Sequence, residues 1–208
     1  MSIINQIAPK IYSDKFDNKK FEFTINKEVL NKSIKEKYLQ YSEIKLGKFV
    51  DKSLENFFNI ELIKNIYPNA KFIHTFRNPL DSAISIYQSM LPDLSWTHNI
   101  EDILLYMDHY YKVLEYFKSK YPEIIMDINL EEFTENSEVL TKKMCKFCGL
   151  TWNENIHNFY KRKDLYSKTL SFNQIRSKVL KYDDKKYQSY FDILYDYKDK
   201  YQWLDLSK

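Results

Sequence analysis

Short apolar runs alternate with helix-patterned segments along this chain, and that alternation restricts the fold more than any other feature. The runs at 48–51, 71–76 and 123–128 have the length and composition of strands. Between and around them, apolar residues recur at helical spacing, which predicts helices over 25–42, 56–66, 80–91, 101–120, 137–148 and 184–203, with a short one at 154–160. Strands that alternate with helices predict a parallel sheet with crossover helices, in a single α/β layered domain of 208 residues.

A proline and a glycine fall where two of these helices should begin and end. Pro79 suits the first turn of the helix at 80–91. Gly149 follows the helix at 137–148, in the position where a left-handed residue commonly ends a helix. The sequence contains only two glycines, so no glycine-rich phosphate loop of the G-x-x-x-x-G-K type can be written in it.

Charge and cysteine usage argue against several classes of partner. A net charge of +3 is too small and too evenly spread to predict nucleic-acid binding. Cys145 and Cys148 form a single CxxC without a second pair, so we predict two small apolar helix residues and no metal. The sequence begins without signal-peptide features and has no run of membrane-spanning length, so we expect a cytoplasmic, reducing location without membrane contact.

Polar side chains that follow two of the predicted strands are the first candidates for a binding site. Ligands of parallel α/β sheets bind beyond the carboxyl ends of the strands, where Lys52 and Arg77 would lie. Ser85 comes eight residues after Arg77, two turns into the next helix. A guanidinium and a hydroxyl in these places could converge on one phosphate, although an arginine at a strand end is also a common partner in surface ion pairs.

Two other features of the sequence are predicted to be structural. His74 lies inside an apolar strand, which favours a buried, hydrogen-bonded histidine over a catalytic base. The aromatic stripe of the long helix is predicted to be core rather than a stacking platform; it consists of Tyr106, Tyr110, Tyr111, Tyr116 and Phe117.

Several segments of the chain, among them DKSLENF (51–57), RNPLDSAISIY (77–87) and TLSFNQIRSKV (169–179), resemble in order those of the sulfotransferase family, in particular its bacterial tyrosylprotein-sulfotransferase-like branch. The 3′-phosphate motif of that branch, R-[DN]-P-x-D-x-x-x-S-x-Y between a strand and a helix, is matched by RNPLDSAISIY at 77–87. Its D-K-x-P-x-N-F segment is matched at 51–57, with Leu54 in place of the proline. Five further segments match in the same order, namely IYPNAKFIH (66–74), LSWTHNIEDI (94–103), INLEEF (128–133), CKFCGLTW (145–152) and TLSFNQIRSKV (169–179).

The resemblance implies a cofactor and a role for each matched residue. Members of the family transfer a sulfonate group from 3′-phosphoadenosine 5′-phosphosulfate to a hydroxyl or amine of a protein tyrosine, a carbohydrate or a small molecule. It implies that Arg77 and Ser85 hold the 3′-phosphate, with Lys186 as a further cation near the phosphates. It also implies that Lys52 and Ser171 stabilise the transition state beside the sulfonate, while Gln174 helps to close a loop over the nucleotide. The implied fold is a three-layer parallel sheet with flanking helices, like that of nucleoside-triphosphate hydrolases.

The chain departs from the family pattern at its beginning. The family opens with a strand and a P-R-S-G-[TS] loop around the 5′-phosphosulfate, and a G-x-x-E glutamate then takes the acceptor's proton. Neither motif occurs here, and residues 2–12 resemble the family segment just after that glutamate. Leu130 also stands where the family usually has a tyrosine near the adenine. We therefore expect a partial domain whose first strand is missing, with a gap between the strands at 71–76 and 123–128.

Three hypotheses about function remain open from the sequence. The chain could be a sulfotransferase polypeptide that is active only with a separate N-terminal portion. It could instead be a non-catalytic module that binds a nucleotide or a partner through the remaining site. A different transferase or kinase that uses adenine nucleotides is the third hypothesis, and the absence of a G-x-x-x-x-G-K loop counts against it.

Overall fold

A computed structural model describes residues 28, 32–34, 36–37, 48–162 and 176–205. The chain divides into two compact units. The first comprises Met1–Ala70 with Val113–Phe117, and the second comprises Lys71–Lys112 with Lys118–Lys208. Whether they make up the single domain expected from the sequence stays a prediction.

The regular elements described in the first unit are helices. A 3₁₀ helix over Leu54–Asn59 leads directly into helix α1, Ile60–Ile66. Within the predicted helix at 25–42, residues 28, 32–34 and 36–37 are described and are helical, and Ile34 is fully buried. Helix α1 buries Ile60, Leu62 and Ile66, which form its apolar side.

The strand predicted at 48–51 is wrong. Residues 48–53 have no regular structure, and Val50 is 90% exposed. The Phe49 ring instead packs edge-on against Tyr67, with 5.5 Å between the ring centroids. Because so short a run has no neighbouring strand among the described residues, it cannot satisfy its backbone groups in a ladder.

The second unit contains a small parallel sheet. Strand β1, Phe72–Phe76, pairs directly with β2, Ile125–Asn129, in a register that runs from Phe72 opposite Ile125 to Phe76 opposite Asn129. The predicted gap between these strands is therefore wrong. Direct pairing gives the facing backbone N–H and C=O groups partners that a gap would have left unsatisfied. Within the described residues the sheet has two strands, so the three-layer arrangement stays a prediction.

Helices connect and follow the two strands, as an α/β fold requires. Helix α2 spans Pro79–Ser89 and helix α3 spans Ile100–Lys120, with a short 3₁₀ helix at Ser95–His98 between them. After β2 come α4, Leu130–Glu135, and α5, Ser137–Phe147. Pro79 occupies the first turn of α2, and Gly149 follows α5 with a φ of 60°, so both predicted boundaries are confirmed. Cys145 is buried and Cys148 is half-buried at the end of α5.

The C-terminal segment differs in type from a regular α-helix. Its described helical residues form 3₁₀ helices over Glu154–Lys161 and Gln188–Tyr197. The second, QSYFDILYDY, is dominated by residue types of modest α-helix propensity, which accounts for the tighter geometry within the predicted helix at 184–203.

A hydrophobic core holds the C-terminal segment against α2 and α3. Buried residues of all three elements meet there, and the core consists of Leu80, Ala83, Ile84, Ile103, Leu104, Met107, Tyr187, Leu194 and Leu204. Tyr106 is stacked on Trp96 and Tyr111 contacts Trp203, so these members of the predicted aromatic stripe pack within the protein.

Candidate functional site

Arg77 lies at the carboxyl end of β1, immediately before α2. Its Nε–H donates to the Ser82 hydroxyl at 3.3 Å, and its Nη2 donates to the Asp81 carbonyl at 3.3 Å. Both partners belong to the first turn of α2. Asn78 caps this helix, because its side-chain oxygen accepts the Leu80 N–H at 2.8 Å. The cap and these two contacts hold the guanidinium over the start of the helix, as the sequence predicts for a strand-end arginine.

Glu131 ties the ends of the two strands together. One carboxylate oxygen accepts the backbone N–H of Asn78 at 2.8 Å, and the other accepts the Asn129 side-chain amide at 3.0 Å. Asn129 is the last residue of β2, and its side-chain oxygen also caps α4 by accepting the Glu132 N–H at 2.9 Å. The loops that follow β1 and β2 are therefore fixed to each other at the edge where ligands of parallel sheets bind.

The C-terminal segment brings two more side chains to Arg77. The guanidinium carbon of Arg77 lies 5.7 Å from the ring centroid of Tyr187, and the ammonium of Lys186 lies 4.8 Å from the same centroid. Burial raises the pKa of Tyr187, but hydrogen bonding to Ser85 and Lys186 and the charges of Lys186 and Arg77 bring it below its ordinary value. Three side chains, from the end of β1, from α2 and from the C-terminal segment of the second unit, thus meet around one phenol.

Asp81 and Tyr182 form a buried polar contact beside Arg77. Asp81 is fully buried, and the Tyr182 hydroxyl donates to its Oδ2. Burial raises the pKa of the Asp81 carboxyl, although the Tyr182 hydrogen bond and the Arg77 charge oppose the rise. The pKa of Tyr182 is raised as well, because burial and the neighbouring Asp81 both disfavour the phenolate. Tyr182 therefore stays a neutral donor to Asp81 at neutral pH.

Two further contacts fix the segment that carries Tyr182. Its backbone N–H donates to the Thr134 hydroxyl at 3.0 Å, and the Lys181 ammonium lies 3.1 Å from a Glu135 carboxylate oxygen. Thr134 and Glu135 belong to α4, whereas Asp81 belongs to α2. The segment before Lys186 is consequently held to two helices.

A cavity of about 360 Å³ opens between these elements. Its cations are Arg77, Lys181 and Lys186, and Asp183 is the acidic residue among its lining residues. The volume is at the lower end of the range for small-molecule sites. The cavity is lined by Arg77, Leu130, Thr134, Val179, Leu180, Lys181, Tyr182, Asp183, Lys186 and Tyr187.

The structure brings together three of the six site residues expected from the sequence. Arg77, Ser85 and Lys186 are brought together around Tyr187. Lys52 is exposed and belongs to the first unit, and it follows an irregular segment rather than a strand. Ser171 and Gln174 lie outside the described residues.

His74 is a structural residue, as its place in an apolar strand predicts. Its Nδ1 is 2.7 Å from Asp127, its register partner on β2, and its Nε2 is hydrogen-bonded to the Tyr110 hydroxyl of α3. Lys118 donates to the other Asp127 oxygen at 2.6 Å. Burial lowers the pKa of His74 more strongly than Asp127 raises it, so the ring is neutral at neutral pH.

Sequence reasoning missed Tyr182, Tyr187 and Glu131 as members of the site. Tyr182 and Tyr187 are two of 18 tyrosines, and no local pattern separates them from the others. Glu131 falls within the INLEEF match, which could have marked it, because a carboxylate directly after a strand lies at the binding edge. Asp81 is part of the matched motif, but no sequence pattern indicates its complete burial.

The described ranges show neither a metal cluster nor a membrane span. No group of three or more His, Cys, Asp or Glu side chains there could hold a metal ion. Among the described helices, none is long and apolar enough to cross a membrane.

Comparison with known proteins identifies the family of the chain. The model of the sulfotransferase family matches residues 8–154, a region that includes β1, α2, Arg77 and Ser85 but ends before Lys186. An uncharacterized protein of Aquifex aeolicus (strain VF5) is 31% identical over 154 residues, which are 69% of this chain and 19% of that protein. The chain thus spans about a fifth of the length of the curated relative that it matches. Because the family model covers more than half of the sequence, the chain belongs to the sulfotransferase family.

Proposed function

We propose that this chain binds 3′-phosphoadenosine 5′-phosphosulfate through its 3′-phosphate and takes part in sulfonate transfer to a hydroxyl or amine acceptor. The observation that carries the proposal is the meeting of Arg77, Ser85 and Lys186 around Tyr187. The family resemblance assigns the 3′-phosphate to Arg77 and Ser85, and it makes Lys186 a further cation near the phosphates. Their convergence in the folded chain supports that assignment.

The chemistry of the cavity suits an anionic ligand. An arginine offers several N–H donors in a planar fork, and a lysine adds a mobile charge. Lys181 is already paired with Glu135, so Arg77 and Lys186 are the cations best placed to meet a phosphate. The net lowering of the Tyr187 pKa reports that this position favours negative charge even though burial disfavours it.

We call Arg77, Ser85, Lys186 and Tyr187 the phosphate cluster. Residues outside it have proposed roles that rest on the resemblance. Lys52 would offset charge on the leaving phosphate, and Ser171 would donate a hydrogen bond to the same region. Gln174 would close its loop over the nucleotide. The bound cofactor supplies the sulfonate and the leaving phosphate, whereas the chain's own residues hold and orient it.

Calorimetric titration of the full chain with 3′-phosphoadenosine 5′-phosphate tests the proposal. We expect binding, and we expect 5′-AMP to bind at least about tenfold more weakly, because it lacks the group that meets Arg77. Equal affinity for the two nucleotides would show that the cluster does not recognise a 3′-phosphate.

Replacing Ser85 by alanine should weaken binding of 3′-phosphoadenosine 5′-phosphate by about fivefold. The change removes one neutral hydrogen bond, which contributes about 1 kcal/mol. Ser89→Ala is the matched control, since Ser89 lies one turn further along α2 and its hydroxyl bonds to the Ser85 carbonyl at 2.6 Å. Calorimetry should give wild-type affinity for the control, and an equal loss in both variants would assign the effect to the helix rather than to the phosphate.

A non-catalytic nucleotide-binding role remains the second candidate, because no P-R-S-G or G-x-x-E motif occurs in the 208 residues. Under our proposal, turnover requires these functions from a further segment or partner. Transfer of labelled sulfonate by the chain supplemented with a segment that carries both motifs distinguishes the candidates, because only a sulfotransferase polypeptide would gain activity. The chain by itself is expected to transfer none, and turnover by it would reveal a substitute base among its own residues.

A further inference from the structure

Tyr187 occupies the centre of the phosphate cluster, yet none of the matched family motifs includes it. Its ring lies beneath the Arg77 guanidinium and the Lys186 ammonium, at 5.7 and 4.8 Å from the ring centroid. It also lines the cavity together with both cations. A phosphate that reaches Arg77 and Lys186 must therefore come close to this side chain.

The ring of Tyr187 is fixed by packing and cannot leave without disrupting the core. It is 6% exposed and belongs to the core cluster with Leu80, Ala83 and Ile84 of α2. Moving such a ring into water would forfeit most of the stabilisation from its buried apolar area. An incoming phosphate is consequently met by Tyr187 rather than displacing it.

The hydroxyl of Tyr187 can donate a hydrogen bond to a phosphate without any movement of the ring. A phenol O–H rotates to suit its partner and can donate one hydrogen bond. Ser85, Lys186 and Arg77 together lower the pKa of Tyr187 against the effect of burial, which makes the phenol a stronger donor to an anion. Arg77 and Lys186 have further N–H donors that would hold the phosphate beside the hydroxyl, and the single O–H of Ser85 would turn from the phenol oxygen to the phosphate.

We propose that Tyr187 is a fourth phosphate-binding residue, whose hydroxyl donates a hydrogen bond to the ligand's 3′-phosphate while its buried ring fixes the distance between Arg77 and Lys186. This inference rests on the proposed function and extends it to a residue beyond the family-matched region. It makes Tyr187 a determinant of specificity for nucleotides that carry a 3′-phosphate.

Tyr187→Phe tests the inference, because it removes the hydroxyl and keeps the ring in the core. Calorimetry of the full chain should show binding of 3′-phosphoadenosine 5′-phosphate weakened by about five- to tenfold. Binding of 5′-AMP should be unchanged, and the melting temperature should stay within about 3 °C of wild type. Tyr190→Phe is the matched control: Tyr190 follows three residues later and is 44% exposed, and its replacement should alter neither affinity.

Each other outcome overturns the inference in a recognisable way. Unchanged affinity of Tyr187→Phe for 3′-phosphoadenosine 5′-phosphate would show that the hydroxyl makes no contact, and tighter binding would show that it obstructs the site. An equal loss for both nucleotides would indicate distortion of the cavity instead of a lost phosphate contact. Failure of the wild-type chain to prefer 3′-phosphoadenosine 5′-phosphate over 5′-AMP would refute the proposed function itself, and the role of Tyr187 with it.

Discussion

Replacing Arg77 by alanine is expected to weaken binding of 3′-phosphoadenosine 5′-phosphate by about 10- to 150-fold. The variant loses a charge-assisted contact to a phosphate, which is worth about 1.5–3 kcal/mol. The direct contacts of the guanidinium to Ser82 and the Asp81 carbonyl are both long, at 3.3 Å, but its charge also favours the ionised form of the buried Asp81 carboxyl, so we expect some loss of stability beside the loss of affinity. Calorimetric titration measures the affinity, and thermal unfolding checks that the variant is folded.

Two comparisons separate the phosphate contact from a general effect of charge. Arg162→Ala removes the same charge from an exposed position after the 3₁₀ helix at Glu154–Lys161, and it should leave the affinity unchanged. Arg77→Lys keeps a positive charge but loses the planar fork, so its affinity should fall between those of wild type and Arg77→Ala. If Arg77→Ala binds 3′-phosphoadenosine 5′-phosphate as tightly as wild type does, the main contact of the proposed site is absent.

Local signals allow the sequence to predict much of the fold around Arg77. Pro79 supplies a fixed φ for the first turn of α2, and Gly149 supplies the positive φ that ends α5. The helical spacing of apolar residues over 101–120 depends only on neighbours in the chain, and helix α3 has nearly these bounds. Such signals arise within a few residues, so a single sequence contains them.

Partners that are distant in sequence account for the wrong strand, the wrong gap and the missed tyrosines. The apolar run at 48–50 has strand composition, but a strand exists only if another strand pairs with it. The predicted gap between β1 and β2 rests on the family's strand order, whereas backbone pairing joins these strands directly. Tyr182 meets Asp81 across 101 residues of sequence, a separation over which periodicity carries no information.

Replacing Tyr182 by phenylalanine should have the largest effect on stability among the changes considered for this site. Its hydroxyl is the hydrogen-bond donor to the Asp81 carboxylate, a fully buried group whose Oδ1 has no partner among the described residues. Without that donor both carboxylate oxygens are buried and unsatisfied, which we expect to cost about 1–3 kcal/mol of unfolding free energy. Urea denaturation at pH 7 measures this difference.

Tyr195→Phe is the matched control for this change. Tyr195 also takes part in a side-chain hydrogen bond, accepting from the Lys198 ammonium at 3.2 Å, but it is 58% exposed. Water replaces the lost partner at such a position, so the unfolding free energy should change by less than about 0.5 kcal/mol. Similar losses in the two variants would mean that the burial of Asp81 has no energetic consequence.

The pH dependence of the Tyr182→Phe effect identifies Asp81 as its origin. The pKa of Asp81 is raised in the folded state from an ordinary 3.8, so ionisation of this group destabilises folding as the pH rises from the ordinary pKa through the folded one. Removing the Tyr182 donor raises the pKa of Asp81 further. The charges around Asp81 stay the same in the variant: Arg77 lowers this pKa, and Glu131 and Asp183 raise it. The stability difference between wild type and variant should therefore grow as the pH rises above 3.8 and shrink on acidification toward pH 3.8.

Other titrating groups do not obscure this difference, because they are common to both proteins. Asp127 has a lowered pKa, held there by Lys118 and His74 against burial, and it contributes stability that is lost as the pH falls. His74 has a lowered pKa, so its protonation below the ordinary value of 6.5 also favours unfolding. Both groups reduce the absolute stability of wild type and variant equally in acid, while the difference between the two proteins follows Asp81 alone. A difference that stayed constant from about pH 7 to pH 4 would assign the loss to packing of the Tyr182 ring and not to the buried carboxylate.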